Sequence, residues 1–89
     1  MREIIRMFVK DLDLIRFIEG NSGVCISDVA RMLKIPYSTA YVRVHRLEKV
    51  GLIDFEYVSG KKTIKLTDTA IELIKALEII EREEKIKKS

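Results

Sequence analysis

Between Ser38 and Lys49 the chain places Ser38, Thr39, Val42, Arg43, His45, Arg46 and Lys49 within a single short segment, and these are side chains that can meet nucleic acid. A hydroxyl donates to or accepts from phosphate or base, and an imidazole donates to a purine acceptor. Arg and Lys neutralise phosphates, Arg also pairs with guanine, and a valine methyl packs on the thymine methyl. Laid on a helix at about 100° per residue, Ala40, Val44 and Leu47 share one side, whereas Ser38, Val42, His45 and Lys49 fall around 140° to 200° from Ala40 and Arg46 near 240°. Those five are expected to face outward, with Thr39 and Arg43 on the flank, in reach of a sugar–phosphate backbone. Tyr37 and Tyr41 either stack on a sugar or pack against neighbouring elements. Val42 is the informative member: on a polar face it has no core to fill, which favours contact with a partner.

The same inventory gives catalysis little support. His45 is the only histidine; Glu48 lies one turn further along its own helix, and no Ser or Cys is forced by the sequence to be its nucleophile. The sequence contains no Gly-rich phosphate loop, so no enzyme activity, catalytic residue or cofactor is expected. Cys25, the single cysteine, cannot form an internal disulfide, and no second Cys or His gives a metal-ligand spacing. The expectation is a small buried hydrophobe and no metal.

The elements that must hold these side chains follow from apolar spacing. Eighty-nine residues fit one domain, with apolar residues at 47% and charged ones at 35%, a mix suited to a folded domain with a small core. Ile4, Phe8, Leu12, Ile15 and Ile18 make a helical stripe over Glu3 to Glu19, although residues 3–10 also suit a short strand, with Asp11 or Asp13 capping a helix that begins only there. "GNSG" (20–23) ends it. "VCI" (24–26) reads as a short edge strand, followed by a helix capped by Ser27, with Asp28 in its first turn. Pro36 stops that helix. The next runs from Tyr37 or Ser38 to about Lys49, with Gly51 as its stop. Period-two alternation then predicts a hairpin: Ile53 to Val58, a turn at "SGKK" (59–62) with Lys61 and Lys62 at its tip, and a return over Thr63 to Leu66 with Ile64 and Leu66 inward. The two lysines either reach an adjacent minor groove or phosphate, or blunt an exposed hairpin edge.

Thr67 or Asp68 caps the last helix, whose apolar stripe (Ala70, Leu73, Ile74, Leu77, Ile80, widened by Ile71, Ala76 and Ile79) exceeds what one small core needs. A second copy is expected to cover it, with Ile71, Ile74, Leu77, Ile79 and Ile80 as the interface and Ile4, Ile5 and Phe8 as possible contributors. Residues 1–80 then form the domain, and 81–89 a charged tail with Ile86 as its only large apolar residue.

Net charge is +3, unevenly spread: Arg31 to Lys65 holds eight basic and three acidic residues, a net of +5, leaving −2 elsewhere. A basic middle with mildly acidic ends is the footprint of a nucleic-acid face. No apolar run approaches the roughly 20 residues of a membrane span, and no signal-peptide core is visible, so the cytoplasm is the expected compartment. Thirteen Ile, no Gln and one Asn resemble the composition of hyperthermophile proteins, such as those of a hyperthermophilic archaeon or its virus.

The order helix, short strand, helix, turn, helix, hairpin, helix is mainly α with a small β-hairpin wing. "ISDVARMLKIPYSTAYVRVHRLEKVGLI" (26–53) resembles the core of winged helix-turn-helix transcription regulators of the MarR, ArsR and PadR type. "KLTDTAIELI" (65–74) resembles the exit from their wing, and the likeness covers roughly residues 12–77. Lys34 stands where many relatives have Gly, and Tyr41 and Val42 replace polar residues common in their recognition helix. The resemblance implies a sequence-preferring double-stranded DNA-binding homodimer with residues 38–49 in the major groove and 59–62 on the flanking backbone or minor groove. The DNA-contacting set is then Ser38, Thr39, Tyr41, Val42, Arg43, His45, Arg46, Lys49, Lys61 and Lys62. A protein-interaction module or a non-specific architectural DNA binder are the alternatives, and no effector-binding segment is evident.

Overall fold

Helix stops and left-handed turn positions fix the element boundaries in the computed structural model, which describes residues 2–88, with side chains through Glu84. The order is α1 (Arg2–Lys10), α2 (Leu12–Gly20), α3 (Ile26–Leu33), α4 (Tyr37–Lys49), β1 (Ile53–Val58), β2 (Lys61–Leu66) and α5 (Asp68–Lys88). Leu14, Ile15, Val29, Val44, Leu47, Leu52 and Ile53 are wholly buried where α2, α3, α4 and the base of the hairpin meet. That cluster holds the back of α4, through Ala40, Val44 and Leu47, and so decides which of its sides can meet a partner.

The N-terminal stripe is helical throughout, yet it divides at Asp11. The Asp11 N–H donates to the Met7 carbonyl at 3.0 Å, the last bond of the α1 ladder, and the Asp11 carbonyl accepts from the Ile15 N–H at 3.0 Å, the first bond of the α2 ladder, so one helix hands over to the next at this residue. The Asp11 side chain makes no cap to α2; it is directed elsewhere, as described below.

Two expected features are corrected. Residues 24–26 form no strand: the contact is one backbone bond, from the Ile64 N–H to the Val24 carbonyl at 2.8 Å, and the sheet has two strands. The reason lies at the start of α3, where the cap position is Cys25 and not Ser27. The Cys25 N–H donates to Asp28 Oδ2 at 2.8 Å, so Ile26 is already helical and too little extended chain remains for a ladder. Cys25 itself is half-buried instead of fully buried. At the far end of the hairpin, the turn is only Ser59–Gly60, with φ of 50° and 79°. Two left-handed residues in succession match the twist of the paired strands. Lys61 and Lys62 are therefore not the tip; they are the first residues of β2, opposite Val58 and Tyr57.

Lys34, the residue after α3, has φ 57° and ψ 46°, a left-handed cap that glycine adopts more easily. Thr67 caps α5, its Oγ1 accepting from the Ala70 N–H at 3.3 Å and donating to the Gly51 carbonyl at 2.7 Å, which ties the stop of α4 to the start of α5. The apolar stripe of α5 ends at Ile80, whereas the helix continues to Lys88 because its Glu, Arg and Lys residues are good helix formers. The Ile86 side chain and Ser89 lie outside the described residues. Ile74, expected at an interface, is buried in its own core, with 6% exposure.

Candidate nucleic-acid interface

Helix α4 has four sides once Ala40, Val44 and Leu47 are anchored. Opposite them is a crest of Ser38, Val42 and Lys49, all exposed, with Val42 at 57%. Thr39 and Tyr41 border the crest and are exposed as well. These five stand where the sequence spacing puts them.

The side toward the hairpin is aromatic. Tyr37 and Tyr41, one turn apart, have ring centroids 6.3 Å apart. His45 follows at 4.2 Å from Tyr41 and 5.1 Å from Phe55 of β1. Lys62 Nζ lies 4.3 Å from the centre of the Phe55 ring, a cation–π contact. His45 is half-buried, and its Nδ1 lies 3.2 Å from Glu48 Oε1, close enough to donate when that nitrogen carries the proton. His45 thus joins helix to wing more than it projects outward. Lys61 and Lys62 both line a groove shared with Tyr37 and the start of α3.

The opposite side is ionic, and here the outward expectation is corrected. Arg43 Nε donates to Asp11 Oδ1 at 2.9 Å, and its Nη2 to Asp13 Oδ1 at 2.6 Å. Arg46 Nη2 reaches Asp11 Oδ2 at 3.3 Å. Asp11 is 1% exposed and the Arg43 side chain 18%, so this is a largely buried knot where α1, α2 and α4 meet. Burial pushes the Arg43 guanidinium down, but the bonds and charges of Asp13 and Asp11 together outweigh it, and its pKa is raised overall. Arg46 is held more loosely, at 33% side-chain exposure, and its Nε is buried with no acceptor. A groove of about 590 Å³ opens over the knot, lined by Lys10, Asp11, Ser38, Thr39, Val42, Arg43 and Arg46.

The knot changes how the basic middle segment is to be read. Of its eight cations, Arg31 pairs with Asp28 at 2.9 Å, Arg43 and Arg46 with the aspartates, and Lys65 with Glu56 at 3.8 Å. Lys34, Lys49, Lys61 and Lys62 have no carboxylate partner among the described residues. The cations of this segment without a carboxylate partner are thus lysines, suited to phosphates more than to bidentate base recognition.

Sequence reasoning missed Asp11, Asp13 and Phe55. Arg43 carried the only signal: at about 300° on the helical wheel it lies nearer the buried line than the crest. Asp28 lies in the groove beside Lys61, and its carboxyl is held below the usual range, chiefly by the hydrogen bond from the Cys25 backbone.

A family model described as winged helix-turn-helix DNA-binding matches residues 7–54, more than half of the chain. No curated protein matches. Among solved structures, a MarR protein from Peptoclostridium difficile is similar, with a TM-score of 0.70 and 23% identity over 85% of this chain and 51% of that one. This chain therefore spans about half the length of that protein, and the likeness is one of fold.

Proposed function

The chain belongs to the winged helix-turn-helix DNA-binding family, and from that premise we propose that it is a transcription regulator that reads double-stranded DNA as a homodimer. The observation that carries this reading is the exposed crest of α4, where Val42 stands at 57% exposure among Ser38, Thr39 and Lys49. In the family's docking mode this face enters the major groove, its N-terminal residues nearest the base edges. Ser38 and Thr39 then serve as hydrogen-bonding groups, Val42 packs on a thymine methyl, and Lys49 neutralises phosphate. Lys61 and Lys62, just after the hairpin turn on its returning strand, supply flanking backbone contacts. His45 and Tyr41 contribute chiefly by holding the wing against α4.

Two faces with exposed apolar residues support association with a second copy. On α1, Ile5 and Val9 are exposed beside Arg2, Arg6 and Lys10, with Glu3 pairing Arg6 at 2.9 Å. On α5, Ile71, Ile79 and Ile80 are exposed, the last two next to the acidic Glu78 and Glu81, while Leu77 is half-buried against its own core. The α1 face carries a net basic charge and the α5 face these carboxylates, Glu81 being also paired with Arg16 of its own chain at 3.2 Å, and the two faces are complementary in sign. A two-fold pairing would carry two copies of α4, about 34 Å apart on a near-palindromic site. The cytoplasm is the compartment consistent with this role, and no helix among the described residues is long and apolar enough to cross a membrane.

Selection from random duplexes tests the reading. A recovered motif with two half-sites, and binding that weakens as salt rises, are the expected results; no motif together with salt-independent binding would sink it. For the dimer, sedimentation of Ile79→Glu/Ile80→Glu should show half the wild-type mass. An unchanged mass would rule those residues out. Ile74→Glu is unsuited to this test because that side chain supports the protomer's own fold.

A further inference from the structure

Two of the strongest cations on the reading helix are spent inside the molecule, and stability does not account for this. A buried ionic cluster is seldom more stabilising than apolar residues of similar volume, because desolvation of each ion offsets the Coulombic gain. The cluster does something apolar residues would not: it sets how much positive charge α4 shows to a polyanion. Around the groove, Lys10, Arg43 and Arg46 face Asp11 and Asp13, so three cations are reduced to a net of +1.

Resting on the DNA-binding reading above, we infer that Asp11 and Asp13 are specificity-determining residues that act by withholding Arg43 and Arg46 from phosphate. Binding to arbitrary DNA is driven by phosphate neutralisation and counterion release, at about 0.9 in the logarithmic salt slope per neutralised phosphate. A guanidinium already held by a carboxylate neutralises no phosphate, and so displaces none of the counterions condensed on the DNA. Non-specific affinity therefore falls, while contacts from the crest to base edges are untouched, and the ratio between right and wrong sites rises. The two arginines are held unequally. Arg43 is fixed by bonds of 2.9 and 2.6 Å, whereas Arg46 is held at 3.3 to 3.5 Å with an orphaned Nε facing the knot. Arg46 is the cation that a well-placed phosphate can draw out; Arg43 stays, and keeps the register between α4 and the bend at Asp11.

The test compares wild type, Asp13→Asn and Asp11→Asn on a selected duplex and on a random-sequence duplex over a range of salt. Asp11→Asn should bind random DNA several-fold more tightly, steepen the salt slope by about 0.9, and lower the selected-to-random ratio; Asp13→Asn, which leaves the Arg43 Nε bond to Asp11 in place, should shift all three the same way but less. A purely structural role would weaken both duplexes together and leave the slope alone. Should Asp11→Asn fail to fold, Asp13→Asn keeps the test, since the Asp13 side chain is 60% exposed. Slopes and ratios equal to wild type overturn this inference while leaving the DNA reading intact; a wild-type protein that binds no duplex overturns both. Independently of DNA, the Arg43 Nε–H should exchange slowly with solvent in wild type and quickly in Asp11→Asn. Fast exchange in wild type would overturn the inference by itself.

Discussion

The two flanks of α4 are fastened by different physics. Toward the wing, Tyr37, Tyr41, His45 and Phe55 touch through tilted rings, with centroids 4.2 to 6.3 Å apart, and Lys62 closes the row over Phe55. Toward the N-terminal helices, directional bonds join Arg43 and Arg46 to Asp11, which is buried, and Arg43 also to Asp13, which is exposed. Ring contacts lose little when displaced by a fraction of an ångström, whereas a buried charge without its partner is strongly unfavourable. The ionic flank is therefore the more exacting of the two, and it fixes the register of α4 against the body.

Removing the ionic side should have the largest effect. Arg43→Ala leaves Asp11 buried with only the loosely held Arg46, and a loss of about 3 kcal/mol is expected in urea denaturation. A loss below about 1 kcal/mol would place the knot with exposed surface pairs and erase the contrast between the flanks. On the aromatic side, Phe55→Ala, at a half-buried position, should cost about 1 to 2 kcal/mol and be insensitive to salt. It should also weaken the contribution of Lys62 to DNA affinity, a coupling that a double-mutant cycle would measure. Between the HTH helices, Lys34→Gly relieves the left-handed cap and should stabilise by about 0.5 to 1 kcal/mol without moving either flank. A decrease in stability would mean that the Lys34 side chain makes a contact that matters.

Substitution on the crest sharpens the comparison from the other direction. Val42→Asp should change stability by less than about 0.5 kcal/mol, because the side chain is exposed, yet abolish preference among duplex sequences in a selection experiment. Retained preference would move the reading away from Val42. The smallest effect is an acid titration. The Asp28 carboxyl is held below its ordinary value of 3.8, so the stability it contributes is fully present above that pH and is lost as pH falls through the lowered folded value. The difference in stability between wild type and Asp28→Asn should be constant above about pH 5 and shrink on acidification below the ordinary carboxylate value; a difference unchanged down to pH 2 would show that the capping bond makes no pH-dependent contribution.

Much of the architecture was legible because burial imposes periodicity. The spacing of Ala40, Val44 and Leu47 fixed the inner side of α4, and with it the exposure of Ser38, Thr39, Val42 and Lys49. Turn chemistry located the ends of α2, α3 and α4, and Lys34 takes the left-handed cap conformation that glycine adopts most easily. The strand expected at residues 24–26 is absent, and the turn expected at 59–62 is only Ser59–Gly60, because a backbone bond at Cys25 and a two-residue turn decide these boundaries.

Periodicity and turn chemistry are local, and so the chain's own order of residues determined its helices, its hairpin and the crest that faces outward. The fate of the charges was settled only in three dimensions. Asp11 and Arg43 lie 32 positions apart, and nothing in either neighbourhood announces their bond. A guanidinium on a helix is equally compatible with solvent, phosphate or carboxylate. Which of these it meets depends on where the bend after α1 sets a carboxylate, because electrostatic pairing is decided by distance and burial, and neither exists until the helices have packed.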